Sequence, residues 1–419
     1  MLTDVKRRAK LGSTRSEPPL TEFAPDRVDF YRGDSHAAFR HLRARDPLHW
    51  YEAGPFWCAT RHAEVCEISR RPRTFSSAHG TQLFEIPVRL AGRNPGVEDM
   101  APSIIQMDPP THNQHRKLVM RAFTRHTIEG LESRVRALAR ESVASIRPGE
   151  PFDFVEQVAV PVPMLVIAEL LGVPSSDYDA FRRWSDVMLD AGASGPRPET
   201  VATLGELFGY MVEKAAERRR RPRGDVLTKL ALAELDGTRL ADPELAIFCM
   251  TLLVAGNETT RNLIAGGMQL LLEHPAQWRK LCAEPSLVPN AVEEMLRYVS
   301  PIRSFVRRVE EDTELAGKRL RAGQYVALFY GSANRDESVF GPDADAFDVF
   351  RPSASRHVAF GHGEHLCLGA SLARLEARLV FEELIARGPG FALAGPVEPF
   401  CSTLVNGVAR MPVVFEERA

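Results

Sequence analysis

Two periodicities share the chain, and one of them dominates. Leu48-His49-Trp50-Tyr51 and Phe56-Trp57-Cys58-Ala59-Thr60 are short runs rich in aromatic and β-favouring residues. Glu52-Ala53-Gly54-Pro55 lies between them, which predicts a small hairpin and its turn. From about residue 62 to 410 the apolar positions recur at helical spacing, as in Leu118-Val119-Ala122-Phe123 and Leu131-Val135-Leu138-Val143. Gly- and Pro-rich stretches at 191–199, 283–290 and 387–399 separate elements, and Thr403-Leu404-Val405 and Met411–Phe415 predict two short strands near the C-terminus. The pattern is that of a mainly α protein with small β-sheets.

The longest periodic segment runs from Pro243 to Glu273, with Asp242 as the expected N-cap and Pro243 in the first turn. At 1.5 Å per residue it would span roughly 46 Å. Its middle, Ala255-Gly256-Asn257-Glu258-Thr259-Thr260, breaks the rule for a buried helix. Glycine costs about 1 kcal/mol in a helix interior, and an acid beside two hydroxyl residues is polar for a core. Such local conflicts mark functional sites.

A second unusual stretch is Phe360-Gly361-His362-Gly363-Glu364-His365-Leu366-Cys367-Leu368-Gly369, followed at once by a helix-forming run, Ala370 to Ala386. Gly363 and Gly369 allow close backbone approaches. Backbone N–H groups at the helix start can then face the Cys367 sulfur and favour its anion. A shielded thiolate is what haem iron requires of a cysteine ligand that favours O–O cleavage. Zinc is a competing use of this loop, through His362, His365 and Cys367, although zinc sites usually recruit a second ligand cluster.

The loop resembles the haem-binding loop of the cytochrome P450 family, Phe-x-x-Gly-x-x-x-Cys-x-Gly. Phe360, Gly363, Cys367 and Gly369 meet its fixed positions. Ala255 to Thr260 is similar to the family's oxygen-binding motif, and Glu294-Met295-Leu296-Arg297, with Arg351 in Phe347–Arg351, to its Glu-x-x-Arg network. The resemblance, of the soluble bacterial type, covers nearly the whole chain from about residue 25. It implies one large domain over 25–419, with haem between two central helices, behind a flexible segment 1–24.

Residue by residue, the resemblance implies Cys367 as the axial ligand of haem b iron, with Thr259 and Glu258 managing O2 and its protons. Ala255 and Gly256 would leave room for oxygen and substrate, and Phe360, Gly361 and Gly369 would shape the loop. Haem propionates would be held by His112, Arg116, Arg307 (or its neighbour Arg308), His357 and His365. Glu294, Arg297 and Arg351 would fix the cysteine side structurally. Leu83, Phe84, Thr251, Ala255, Ile302, Phe305 and Leu404 would line the substrate pocket, while Arg303 would lie at the surface or bind a substrate carboxylate.

The implied reaction inserts one oxygen atom into a C–H bond, or epoxidises a double bond, of an apolar molecule such as a steroid, terpenoid or fatty acid. The alternatives are tailoring of a macrolide or other natural product and, in a different class, a non-catalytic haem sensor or carrier. That last needs Cys367 but neither Glu258 nor Thr259.

Composition narrows the partners. The net charge of −2 over 419 residues gives no global attraction to nucleic acid or anionic membranes. No apolar run reaches the ~18 residues a membrane span requires. Six cysteines without paired spacing suggest reduced thiols in a cytoplasm. No GxGxxG or Fe–S spacing occurs, so electrons from NAD(P)H would arrive through a ferredoxin reductase and a small acidic ferredoxin. Lys117, Arg121, Arg125, Arg374 and Arg378 would form its positive docking face.

Overall fold

The computed structural model describes residues 23–93, 102–120, 123–194, 198–234, 237 and 239–417. The N-terminal segment expected to be flexible lies almost wholly outside them, as do Arg121 and parts of the expected substrate segments.

Eight helices position the site: α1 (Thr111–Met120), α2 (Glu132–Ala144), α3 (Pro161–Leu170), α4 (Tyr178–Ser194), α5 (Pro198–Arg220), α6 (Asp242–Glu273), α7 (Val288–Val299) and α8 (Ala370–Ala386). Helix α6 packs against α3, α4, α5, α7 and α8. It is buried along most of its circumference, which explains its apolar composition on every face. Its start departs from expectation in one detail. Asp242 does not cap the helix, because its carboxylate accepts from Arg219 Nε at 2.6 Å. Glu244 caps instead, accepting from the Ala241 N–H at 2.8 Å, a placement that also suits the positive end of the helix dipole.

The expected hairpin forms: β1 (Leu48–Tyr51) pairs antiparallel with β2 (Phe56–Ala59). It joins β3 (Phe75–Ser76), β4 (Ser304–Val309) and β5 (Tyr325–Phe329) in a sheet of order β1-β2-β5-β4-β3. Strand β2 runs parallel to β5 with Phe56 opposite Tyr325, and β4 runs antiparallel to β5 with Ser304 opposite Phe329. The sheet thus holds β4, and Arg307 on it, against the helical body.

Near the C-terminus, 403–405 is not the strand its β-favouring residues predict. Ser402 Oγ accepts from the N–H groups of Leu404 and Val405, which folds the segment into a turn. Only Val405 pairs, in an isolated bridge to Ile302. The strand begins one residue later, at β7 (Asn406–Arg410), paired with β6 (Glu398–Cys401). The predicted strand around Met411–Phe415 forms as β8 (Pro412–Phe415).

Candidate active site

The cysteine loop is shaped by its glycines. Gly361 and Gly363 take φ of +73° and +70°. A Cβ on Gly363 would stand 2.2 Å from the Ser69 carbonyl oxygen, so only glycine lets the loop lie against that backbone. The Cys367 N–H donates to the Phe360 carbonyl at 2.9 Å. The Cys367 side chain keeps accessible surface on its open side. Surrounding protein atoms raise its thiol pKa, while the N–H groups of Gly369 and Ala370, with Arg116 and Arg374, act in the opposite direction. These donors at the start of α8 are where a thiolate would be stabilised.

Behind the loop, the buried Glu294 carboxylate accepts from Arg297 at 2.7 and 2.8 Å, from Arg351 at 3.2 Å and from the Asp348 N–H at 2.9 Å. Arg297 spends its remaining donors on the carbonyls of Asn334, Ala344 and Ala346. Arg351 donates to Phe340, Asp343 and Ala346. A buried ionic network is tolerable when its donors and acceptors are matched in this way.

Four donors expected to hold propionates lie together. The rings of His112 and His365 are 4.2 Å apart. Arg116 donates to the Leu366 carbonyl. Arg307 is buried, donates to the adjacent Val306 carbonyl and makes no ion pair among the described residues. Burial pushes His365 down to about 3, with Arg307, His112 and Arg116 adding to the effect, so its imidazole is neutral. A buried guanidinium that feels the Asp108 and Glu364 carboxylates but pairs with neither calls for a further anion, and propionates fit that demand. Of the two neighbouring arginines it is Arg307 that faces inward. Arg308 is directed to Glu310 at 3.0 Å.

His357 does not join this group. Its Nε2 meets Glu293 Oε2 at 3.2 Å, and Glu293 also accepts from Arg374 at 2.6 and 2.9 Å. Burial alone would raise the Glu293 carboxyl, but these bonds hold it down at about 2. His357 therefore buttresses α7 and α8. The acid that captures it precedes Glu294, where only the motif drew notice.

The zinc grouping also fails. His362, His365 and Cys367 do not converge. The cluster among the described residues is His112, Glu364 and His365, with ligand atoms within 4.8 Å of one another. Burial and the Asp108 carboxylate raise the Glu364 pKa, while Arg307 and Arg116 oppose them, and these two guanidiniums disfavour a metal cation here.

On α6, Thr259 Oγ donates to the Ala255 carbonyl at 2.6 Å, while Ala255 itself is exposed. Glu258 is enclosed, and burial pushes its carboxyl up to about 7 despite the opposing pull of Arg261. Protonation near neutral pH is what a proton relay needs. Gly256 has a packing use. A Cβ there would come 2.5 Å from Ile167 Cδ1, so the glycine lets α3 pack closely against α6.

The pocket residues divide. Leu83 is buried in the cluster of Phe39, Tyr51 and Phe56, which makes it a core residue rather than a lining one. Phe84 is 38% exposed. Thr251 donates to the Ile247 carbonyl and bonds Ser103 Oγ, tying α6 to that segment. Ile302 and Phe305 lie half-buried against the sheet cluster, and Leu404, also half-buried, accepts from the Arg303 N–H. The Arg303 side chain is half-buried. It stacks 4.2 Å from the Tyr31 ring, and its Nε donates to the Ser402 and Val405 carbonyls.

The expected positive face is less positive than its sequence. Arg374 pairs with Glu293, and Arg378 pairs with Glu132 and Glu382. Lys117 is exposed, and the side chain of Arg125 lies outside the described set. Sequence reasoning also missed Arg261, one helical turn after Glu258, and Glu376, whose neighbours Leu372, Leu379 and Val380 place it on the buried stripe of α8. Helical spacing carried both signals.

Comparison with known proteins agrees with this geometry. The family description "Cytochrome P450" matches residues 200–387. A vitamin D(3) 25-hydroxylase from Pseudonocardia autotrophica is 38% identical over 96% of this chain and 99% of its own. An erythromycin C-12 hydroxylase from Saccharopolyspora erythraea is 39% identical over 83% of this chain and 85% of its own. The solved structure of cytochrome P450 CYP109E1 from Bacillus megaterium in complex with testosterone superposes with a TM-score of 0.81, at 33% identity, covering 92% of this chain and 100% of that one. Across that span the cysteine loop, the buried Glu-x-x-Arg network and the acid–threonine helix occur in one chain, which belongs to the cytochrome P450 family.

Proposed function

We propose that this monooxygenase takes an apolar substrate of roughly steroid size and receives its electrons, ultimately from NAD(P)H, through a separate ferredoxin. The observation that carries the reading is the enclosed Glu258 carboxyl beside Thr259 on α6, in a chain that also presents Cys367. A haem carrier or sensor has no use for a relay of that kind. Haem, held through Cys367, supplies O2 activation and transfer of one oxygen atom to the substrate.

The chain's own residues do the rest. His112, His365, Arg116 and Arg307 bind the cofactor's carboxylates. The backbone donors of Gly369 and Ala370 favour the Cys367 anion. Glu258, protonated up to about pH 7, can pass a proton inward and regain one from solvent. Thr259 holds its hydroxyl at the same turn of helix, donating to the Ala255 carbonyl, and would offer it as a hydrogen-bond partner on the side where the cofactor binds.

Half-buried Ile302, Phe305 and Leu404 offer an apolar substrate wall. The named substrates of the relatives, vitamin D3 and erythromycin, and the testosterone bound to the solved neighbour support a bulky apolar substrate. A carbon monoxide spectrum of the dithionite-reduced protein, followed by spin-state titration with steroids, terpenoids, fatty acids and macrolides, tests the reading. A strongly red-shifted Soret band, abolished by Cys367→Ala, and a spin shift with a steroid are expected. A normal-wavelength band would overturn the thiolate ligation, and a shift with macrolides alone would move the substrate class. Turnover with NAD(P)H, ferredoxin reductase and ferredoxin, absent when ferredoxin is omitted, tests the electron route.

A further inference from the structure

We propose that Arg261 is a positioning residue which, in competition with Asp186, decides whether the neighbouring Glu258 holds its proton. The inference rests on the reading of Glu258 as a proton relay. Arg261 lies three residues after Glu258 on α6, so the two share a face. Its Nε is enclosed and has no hydrogen-bond partner among the described residues. A guanidinium with an unused, enclosed donor is one whose counter-charge is not fixed by geometry.

Two carboxylates compete for it. Glu258 is the nearer along the helix, and Arg261 is the charged group that opposes its burial. Asp186 is the other. It stands on α4, which is joined to α6 at this level, since Asn257 Nδ2 donates to Ser185 Oγ at 2.5 Å. Asp186 is an exposed residue whose carboxyl is nonetheless partly shielded: that burial raises its pKa, Arg182 and Arg261 pull it back down, and Glu156 adds to the rise. Arg182 is already paired with Glu156 at 2.5 Å, whereas Arg261 acts on both Asp186 and Glu258 without an ion pair to either among the described residues.

The direction follows from Coulomb's law. Charge directed at Glu258 favours its carboxylate, whereas charge drawn outward to Asp186 leaves Glu258 as the neutral acid. No bond other than an O–H is made or broken: the Glu258 carboxyl gives up a proton, and solvent returns one.

The test is an infrared pH titration of the protonated Glu258 carbonyl band in the resting ferric holoenzyme, with the band assigned by its loss in Glu258→Gln. Arg261→Gln should move the midpoint up by about one pH unit, and Asp186→Asn should move it down, in the range expected for one nearby charge. Arg261→Lys should restore most of the parent midpoint. Product formed per NAD(P)H should follow the same displacements along the pH axis.

An unmoved midpoint in Arg261→Gln, a shift of the same sign in both variants, or no titrating Glu258 band would overturn the proposal. If Arg261→Gln loads no haem, Asp186→Asn, made at an exposed position, still decides. Midpoints that move as expected while Glu258→Gln stays fully coupled would leave the electrostatics standing and remove the relay.

Discussion

The two sides of the haem-binding region treat buried charge in opposite ways. Around Cys367 the Glu294–Arg297–Arg351 network matches a buried carboxylate with two guanidiniums and gives their other donors backbone carbonyls. On α6, by contrast, Asn257 Oδ1 and Arg261 Nε are enclosed without hydrogen-bond partners among the described residues, and Glu258 sits at the edge of ionisation. The first arrangement has one low-energy state, so it resists change. The second has polar groups that can accept a proton, a water or a rearranged bond at little cost. The difference teaches where this molecule needs rigidity, at the iron's anchor, and where it needs choice, at the oxygen.

The comparison can be broken most severely on the matched side. Arg297→Met should cost about 3–5 kcal/mol, because it leaves Glu294 charged and short of its best partner in a dry site. The expected outcome is little haem-loaded protein, read from Soret absorbance per unit protein. A melting temperature equal to the parent's would show that the network is not a lock.

Next comes the buried acid on α8. Burial pushes Glu376 up to about 8, and its Oε2 has no hydrogen-bond partner among the described residues. Its folded pKa lies above the unfolded value, so its contribution is intact below about pH 4.3 and is lost as pH rises through 8. Glu376→Gln should therefore gain a few kcal/mol on the parent between pH 5 and pH 9. Denaturant midpoints at the two pH values check this. Glu258→Gln should show the same trend, smaller and ending near pH 7, where its carboxyl is half-ionised.

A milder change sharpens the contrast on the distal side. Thr259→Ala removes one hydroxyl bond, worth about 1 kcal/mol in stability, yet should divert reducing equivalents into peroxide. Full coupling in that variant would end the claim that this turn of helix manages protons. The smallest effect belongs to His357→Gln. Because His357 meets Glu293 and not the propionate group, haem content should stay near the parent's, whereas His365→Gln should lower it. Equal losses would return His357 to the cofactor.

Much of this was legible in the residues, for identifiable reasons. Helical spacing found α6 and α8, and the aromatic pairs around Gly54-Pro55 found the hairpin, since local patterns report local structure. What stayed hidden was set by distant partners. His357 has the right sequence position for a propionate, but Glu293, on another helix, claims it. Gly256 reads as space, and its contact with Ile167 is set from another helix. Thr403–Val405 reads as strand until the Ser402 hydroxyl takes two of its N–H groups. Leu83 looked like lining because apolar residues serve pocket and core alike.

The parallel pairing of β2 with β5 has a consequence for the protein's birth. The hairpin of β1 and β2 is complete by Ala59, but its partner strand is made about 270 residues later. At roughly 5–20 residues per second of synthesis, the ribbon waits on the order of tens of seconds. During that interval it is a two-stranded ribbon, marginal in water, with the row of β2 amides and carbonyls meant for β5 unpaired. The nascent chain therefore carries an unpaired strand edge through most of translation, and only the arrival of Tyr325–Phe329 closes it.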